Sequence, residues 1–216
     1  MIQWTYQLEF DSPFGIFSGF SVAGLVDRMV VRNHIGMPVV PGSSVKGRWR
    51  FFAERILRAQ SNDTTGNIFL HAPDKPACKQ GGRICTVCKW FGSPSIAGGL
   101  QVGPADLNKI NDQDWKAIFR QLLQDTAATI VRPDTEIRPG IALSRSFRTA
   151  LRDHLFFDET VPPVDFQGFI RLNRTPTPEE SRFLKGTAAL VDRLGARKAV
   201  GRGRLTGGIR INGGDA

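Results

Sequence analysis

The chain contains no apolar run near the roughly 20 residues that a membrane-spanning helix needs. Its first twenty residues carry no signal-peptide pattern. These two absences predict a cytoplasmic protein without a membrane partner. Cysteine is scarce, with 3 in 216 residues, all within residues 78–88. So few thiols in so short a stretch do not make a secreted disulfide framework. Histidine is equally scarce, and only His34, His71 and His154 are available for imidazole chemistry. Internal repeats and low-complexity tracts are missing as well. The apolar share of 41% and the charged share of 23% are ordinary for a globular chain, which excludes wholesale disorder. The length suits one compact domain with embellishments.

Acid is the other shortage. Lys and Arg number 29 against 20 for Asp and Glu, a net charge of +9, and 21 of the 29 are Arg. The excess is localised. Residues 182–210 hold eight basic side chains and one acid, Asp192; residues 45–58 hold five and one, Glu54. Arginine's planar fork pairs bidentately with phosphate and stacks on bases. Concentrated arginine therefore points to a polyanionic partner, the alternative being a basic surface with no ligand.

Trp4, Tyr6, Leu8 and Phe10 alternate with polar residues, the period of a half-buried strand. After a Gly- and Ser-rich loop, Pro41-Gly42 reads as a turn. Ser43 or Ser44 is then placed to cap a helix over about 45–59, with Val45, Trp49, Phe52 and Ile56 facing the core. Residues 60–103 read as a long irregular stretch. Trp115, Ile118, Phe119, Leu122 and Leu123 have helical spacing, and 128–163 read as extended pieces. A strand is expected over 166–172. A helix opens at Thr177-Pro178 with Glu179 and Glu180 in its first turn and runs to Gly195. A glycine-rich loop and a strand over 209–211 close the chain. This order predicts an α+β fold, a ferredoxin-like (RNA-recognition-like) domain spanning 1–216 with insertions at 60–103 and 128–165.

The cysteines follow the pattern His71-x6-Cys78-x6-Cys85-x2-Cys88. A Cys-x-x-Cys turn offers two thiolates at the bite of a tetrahedral zinc, and His71 and Cys78 complete four ligands. Four protein ligands leave no open position, so such a zinc is architectural, supplying folding energy to a loop with little apolar content. A redox pair is the alternative, although no thioredoxin-like context surrounds it. Near the end stands Gly201-Arg202-Gly203-Arg204-Leu205-Thr206-Gly207-Gly208. Its glycines let backbone approach a polyanion closely, and its arginines can grip phosphates. Such a turn also occurs with no ligand, and it lacks the ending of a nucleotide P-loop.

Taken together, these motifs resemble a known family. Met37-Pro38-Val39-Val40-Pro41-Gly42-Ser43-Ser44-Val45-Lys46-Gly47 is similar to the first-helix motif of the RAMP superfamily, the repeat-associated proteins of CRISPR systems. Residues 201–208 resemble its C-terminal glycine-rich loop. Cys85-x-x-Cys88-Lys89-Trp90-Phe91-Gly92-Ser93 resembles a segment of type III effector backbone subunits, and residues 136–163 resemble their thumb hairpin. One departure is Ser144-Arg145, standing where the family often has an acid before the arginine.

The resemblance implies a subunit that polymerises with copies of itself or related RAMP subunits along a CRISPR guide RNA, among other subunits of an effector complex. The thumb is implied to displace one base pair of the guide–target RNA duplex at regular intervals. Guide phosphates are implied to lie against Ser43, Ser44, Lys46 and Arg50, and against Arg197, Lys198, Arg202 and Arg204. A helix N-terminus with nearby cations suits phosphate; two solvated charges on a helix face are the alternative for Lys46 and Arg50. Asp27 occupies the place of the family's catalytic aspartate. The implied chemistry is target-RNA cleavage supported by Mg2+ or another divalent cation, in which the RNA's own 2′-hydroxyl attacks the neighbouring phosphate. A loop aspartate also serves as a turn residue. A binding-only scaffold and a guide-processing endonuclease, of a class that tends to use histidine, remain the alternative functions. His34 is read as an acid–base group or a surface histidine.

Overall fold

A computed structural model describes residues 2–60, 68–71, 78–79, 81–107, 135–144 and 146–213. The helical pattern around Trp115 and the beginning of the expected second insertion, 128–134, lie outside the described residues.

Strand β1 (Ile2–Phe10) buries Trp4, Tyr6, Leu8 and Phe10, as its alternation predicts. Helix α1 (Gly42–Gln60) follows the loop that leads from it. Val45, Trp49, Ala53 and Leu57 are buried, whereas Phe52 and Ile56 are half-buried. The helix begins earlier than expected, because the amides of Ser44 and Val45 both donate to the Pro41 carbonyl at 3.0 and 3.3 Å. Pro41 thus takes the capping position, and Ser43 and Ser44 stand inside the first turn.

Two regular elements lie within the stretch read as irregular. Helix α2 (Thr86–Phe91) is short, but Val87, Trp90 and Phe91 are buried and Phe91 meets Trp49 edge-on at 5.1 Å. This part of the stretch is core, contrary to its expected lack of apolar content. Strand β2 (Leu100–Leu107) was hidden by Gly103-Pro104, which sits where its pairing with the strand over Asp165–Leu172 shifts register between Val102 and Ala105.

Strands β3 (Glu136–Leu143) and β4 (Ala150–Thr160) form a separate two-stranded ribbon. Ile141, Leu143, Phe147, Leu151 and Leu155 on it are exposed, and burial begins only near Asp158. Strand β5 (Asp165–Leu172) returns to the main sheet. Helix α3 (Pro178–Ala189) carries a capping box in which Thr177 and Glu180 bond each other's backbone amides. It stops at Ala189, short of the expected Gly195. The backbone of 191–195 pairs with the glycine-rich loop instead: Leu194 N donates to Gly203 O and Leu205 N to Asp192 O, both at 2.8 Å. Strand β6 (Leu205–Asn212) begins inside the glycine motif, earlier than expected, with Gly207 and Gly208 at positive φ of 74° and 72°.

The main sheet has the order β2-β5-β1-β6, every neighbouring pair antiparallel. The β1-α1-β2 and β5-α3-β6 segments therefore interleave. Helices α1 and α3 share one face of the sheet, joined by Trp49 Nε1 donating to Thr187 Oγ1 at 3.0 Å. No helix among the described residues is long and apolar enough to cross a membrane.

Gly42 locks α1 to β2. A Cβ at that position would lie 2.0 Å from the Val102 carbonyl oxygen, whereas one at Gly47 would meet nothing within 4 Å. Gly42→Ala is therefore expected to destabilise the fold by at least about 2 kcal/mol. Gly47→Ala, in a helix interior, should stabilise it by roughly 0.5–1 kcal/mol. Urea denaturation of the two variants checks the opposite signs.

Candidate functional site

His71, Cys78, Cys85 and Cys88 converge so that one ligand atom from each lies within 4.8 Å of all the others. His71 Nδ1 is 3.3, 3.9 and 3.8 Å from the sulfurs of Cys85, Cys78 and Cys88. Metal–sulfur and metal–nitrogen bonds of zinc length place such atoms about 3.6 Å apart around a tetrahedral ion. The four residues fit a metal ion. The amides of Cys85 and Cys88 donate to the sulfurs of Cys78 and Cys85, both at 3.4 Å, which favours charged sulfur. Burial, the largest cause, and the neighbouring Cys88 push the Cys85 thiol up to about 12, so thiolates here call for a neighbouring cation. The centre touches the rest of the fold through α2, whose Trp90 and Phe91 follow directly after it.

A second cluster lies at the root of the β3–β4 ribbon. Residues 27–30 run beside β4, with Asp27 N donating to Phe157 O at 2.9 Å and Glu159 N to Arg28 O at 3.0 Å. The Asp27 side chain is exposed. Its Oδ2 accepts the Phe157 amide at 2.6 Å, and its Oδ1 has no hydrogen-bond partner among the described residues. One residue further on, Asp158 is fully buried. Arg28 Nε approaches its Oδ1 at 2.9 Å, and Arg197 Nε and Arg202 Nη1 approach its Oδ2 at 2.6 and 3.3 Å. Arg28 and Arg197 also stack on the Phe156 ring, with centroid distances of 5.0 and 3.9 Å. On the opposite side, Glu159 bonds Arg32 Nη2 at 2.5 Å, Thr135 Oγ1 at 2.8 Å and the Val30 amide at 2.8 Å. Ribbon, Asp27 loop and glycine-rich loop are thus tied at one point.

An open groove of about 460 Å³ separates α1 from the segment after α3, lined by Phe17, Ser44, Arg48, Phe51, Arg193 and Lys198 among others. Of the residues expected to hold RNA, Ser44 and Lys198 reach this groove, while Ser43 is exposed on the first turn of α1. Several of these cations have internal partners. Lys46 Nζ donates to Leu100 O at 3.0 Å; burial first, and then Arg50, lower its pKa. Arg50 bonds Glu54 Oε1 at 2.8 Å and Gly92 O at 2.9 Å. Arg204 pairs with Asp11 at 2.7 Å, and Lys198 bonds Gly195 O at 2.7 Å. His34 is exposed in the turn at 33–36, and His154 sits on the exposed part of β4.

The family model of the RAMP superfamily matches residues 7–206. The chain belongs to the RAMP superfamily. No curated protein matches it. Among solved structures it is similar to a subunit of "Type III-B Cmr-beta bound to cognate target RNA", with TM-score 0.60 and 13% identity over 98% of this chain and 97% of the other. A subunit of a "Type IV-B CRISPR Complex" is similar at TM-score 0.60 and 16% identity, over 100% of this chain and 92% of the other.

Within this RAMP chain, the four residues expected as metal ligands lie close together, and Asp27 is exposed. Sequence reasoning missed Arg28, Arg48, Arg193 and Asp158. The only signal for Asp158 was an acid following Phe156-Phe157 within an extended segment. Because Asp158 sits buried among three guanidinium groups, Asp158→Asn keeps the side chain's shape but leaves those charges unbalanced. That change is expected to cost about 3 kcal/mol in chemical denaturation.

Proposed function

We propose that this chain is a guide-RNA-binding backbone subunit of a type III CRISPR effector complex, which also cuts complementary target RNA. In this reading, residues 1–216 form one ferredoxin-like domain, a class that the sheet order supports. It carries a zinc-binding insertion at 60–103 and a thumb hairpin at 128–165, and it works in the cytoplasm beside copies of itself or related RAMP subunits. Ser43, Ser44, Lys46 and Arg50, with Arg197, Lys198, Arg202 and Arg204, hold guide phosphates. The internal bonds of Lys46, Arg50 and Arg204 mean that these three must exchange a backbone or carboxylate partner for RNA. Contacts of this kind position RNA without reading its sequence.

The observation that carries the catalytic part is Asp27. Its carboxylate is exposed beside the ribbon root, oriented by the Phe157 amide, with one oxygen that has no partner among the described residues. A single carboxylate joined by RNA phosphates suits Mg2+ or another divalent cation, which when bound supplies charge for the phosphate and lowers the pKa of a bound hydroxyl. Asp27 holds that ion or takes the proton of the target's 2′-hydroxyl. The 2′-oxygen bonds to phosphorus as the 5′-oxygen leaves and is protonated, giving a 2′,3′-cyclic phosphate and a 5′-hydroxyl.

In an assembled complex, Asp27→Ala is expected to leave guide and target binding within a few-fold of wild type. Cleavage at the position facing this subunit should be abolished, and chelation should have the same effect on the unaltered protein. Mapping the 5′-hydroxyl ends of the product checks both. Cleavage by Asp27→Ala at the wild-type rate would favour the binding-only scaffold, in which Asp27 merely caps the Phe157 amide. The processing-endonuclease reading is weakened by His71, which points into the thiol cluster.

The four-residue centre is read as structural zinc. Elemental analysis is expected to find about one zinc per chain. Cys88→Ser should lose the metal and lower the melting temperature, because α2 carries Trp90 and Phe91 into the core. A fully folded, zinc-free native protein would refute this assignment.

A further inference from the structure

The ribbon root carries more positive charge than its own acids balance. Arg28, Arg197 and Arg202 all contact the one carboxylate of Asp158. A buried carboxylate needs a partner, but three cations gathered in a partly dry place repel one another. The neighbouring ion pairs do not offset the excess, since Arg32 is matched by Glu159 and Arg138 by Glu136. Three guanidinium charges against the one carboxylate of Asp158 leave an excess of positive charge, opposite in sign to a phosphodiester.

Two further features point to a ligand. Arg197 is held at φ 54°, a left-handed conformation that costs a non-glycine residue energy and tends to accompany function. Arg28 and Arg197 each meet Asp158 through Nε and flank Phe156, so the rings and carboxylate fix their planes. Their Nη edges have no hydrogen-bond partner among the described residues. Guanidinium forks held in fixed planes suit the oxygens of a phosphate.

We propose that Arg28, Arg197 and Arg202 form a site for one RNA phosphodiester at the ribbon root, with Asp158 as the positioning residue. The inference rests on the reading of this chain as an RNA-binding subunit. It adds Arg28 as a contact and assigns Asp158 a role in orienting all three arginines.

The test uses the protein assembled with its guide. Guide and target RNAs each carry one uncharged methylphosphonate linkage, moved position by position, and affinities are measured at fixed salt. At one position per subunit, wild type is expected to lose about ten-fold in affinity, the scale of a charge-assisted hydrogen bond. Arg28→Gln should bind charged and neutral RNA within two-fold of each other there, while keeping the wild-type losses elsewhere. Asp158→Asn should blunt the discrimination at that same position, whereas a purely structural role would alter all positions alike. Whether the position falls in guide or target identifies the strand. If Arg28→Gln fails to fold, Arg202→Gln is measured in the same way. Variants with wild-type losses at every position would overturn the site while leaving RNA binding intact. A wild-type protein that binds no RNA would overturn the underlying reading along with it. Cleavage is not needed, so the outcome is independent of Asp27.

Discussion

The arrangement of the candidate site depends on one buried carboxylate. Asp158 is reached by three arginines, Arg28 from the loop before α1, Arg197 from the segment after α3 and Arg202 from the glycine-rich loop. Among the described residues, no regular hydrogen-bond ladder joins the ribbon to the main sheet. The ionic cluster, with the Glu159 network and the short backbone pairings at Asp27, Arg28 and Phe14–Val161, sets where the ribbon stands relative to the domain. Charge interactions in a partly buried setting are strong and directional, and replacing one partner changes the position of the others.

The main sheet and its helices were legible where a local physical rule dominates. Alternation exposed β1, and the Thr177-Pro178 cap with its two glutamates located α3. Where local signals yield to tertiary contact, the sequence misled. Gly103-Pro104 looks like a loop until the bulge of β2 against β5 is visible. The segment Thr86–Phe91 looks like part of a polar insertion because its apolar residues bury against Trp49, far away in sequence. Helix α3 ends where its successor finds backbone partners in the loop around Gly203.

The candidate site divides along the same line. Metal ligands declare themselves by type and spacing, because coordination geometry limits how they can be arranged. The four sulfur and nitrogen donors were therefore readable before any fold was known. Basic residues carry no such mark. Whether an arginine is free for a polyanion depends on which acid or carbonyl folds against it. Arg204 meets Asp11 across 193 positions of chain, and Lys46 meets the carbonyl of Leu100. Composition announces a basic surface and is silent on which of its charges are already engaged.

The ribbon of β3 and β4 also behaves as a lever. Its longer strand has 11 residues, roughly 36 Å at the usual rise, and only its last few are buried. A rotation of about 10° at the root would sweep the tip through roughly 6 Å, more than the spacing of two neighbouring strands in a sheet. Angular error at a few side chains is thus magnified at the far end. Any partner that meets the apolar tip of Leu143, Phe147 and Leu151 senses the stiffness of the root, although it never touches it.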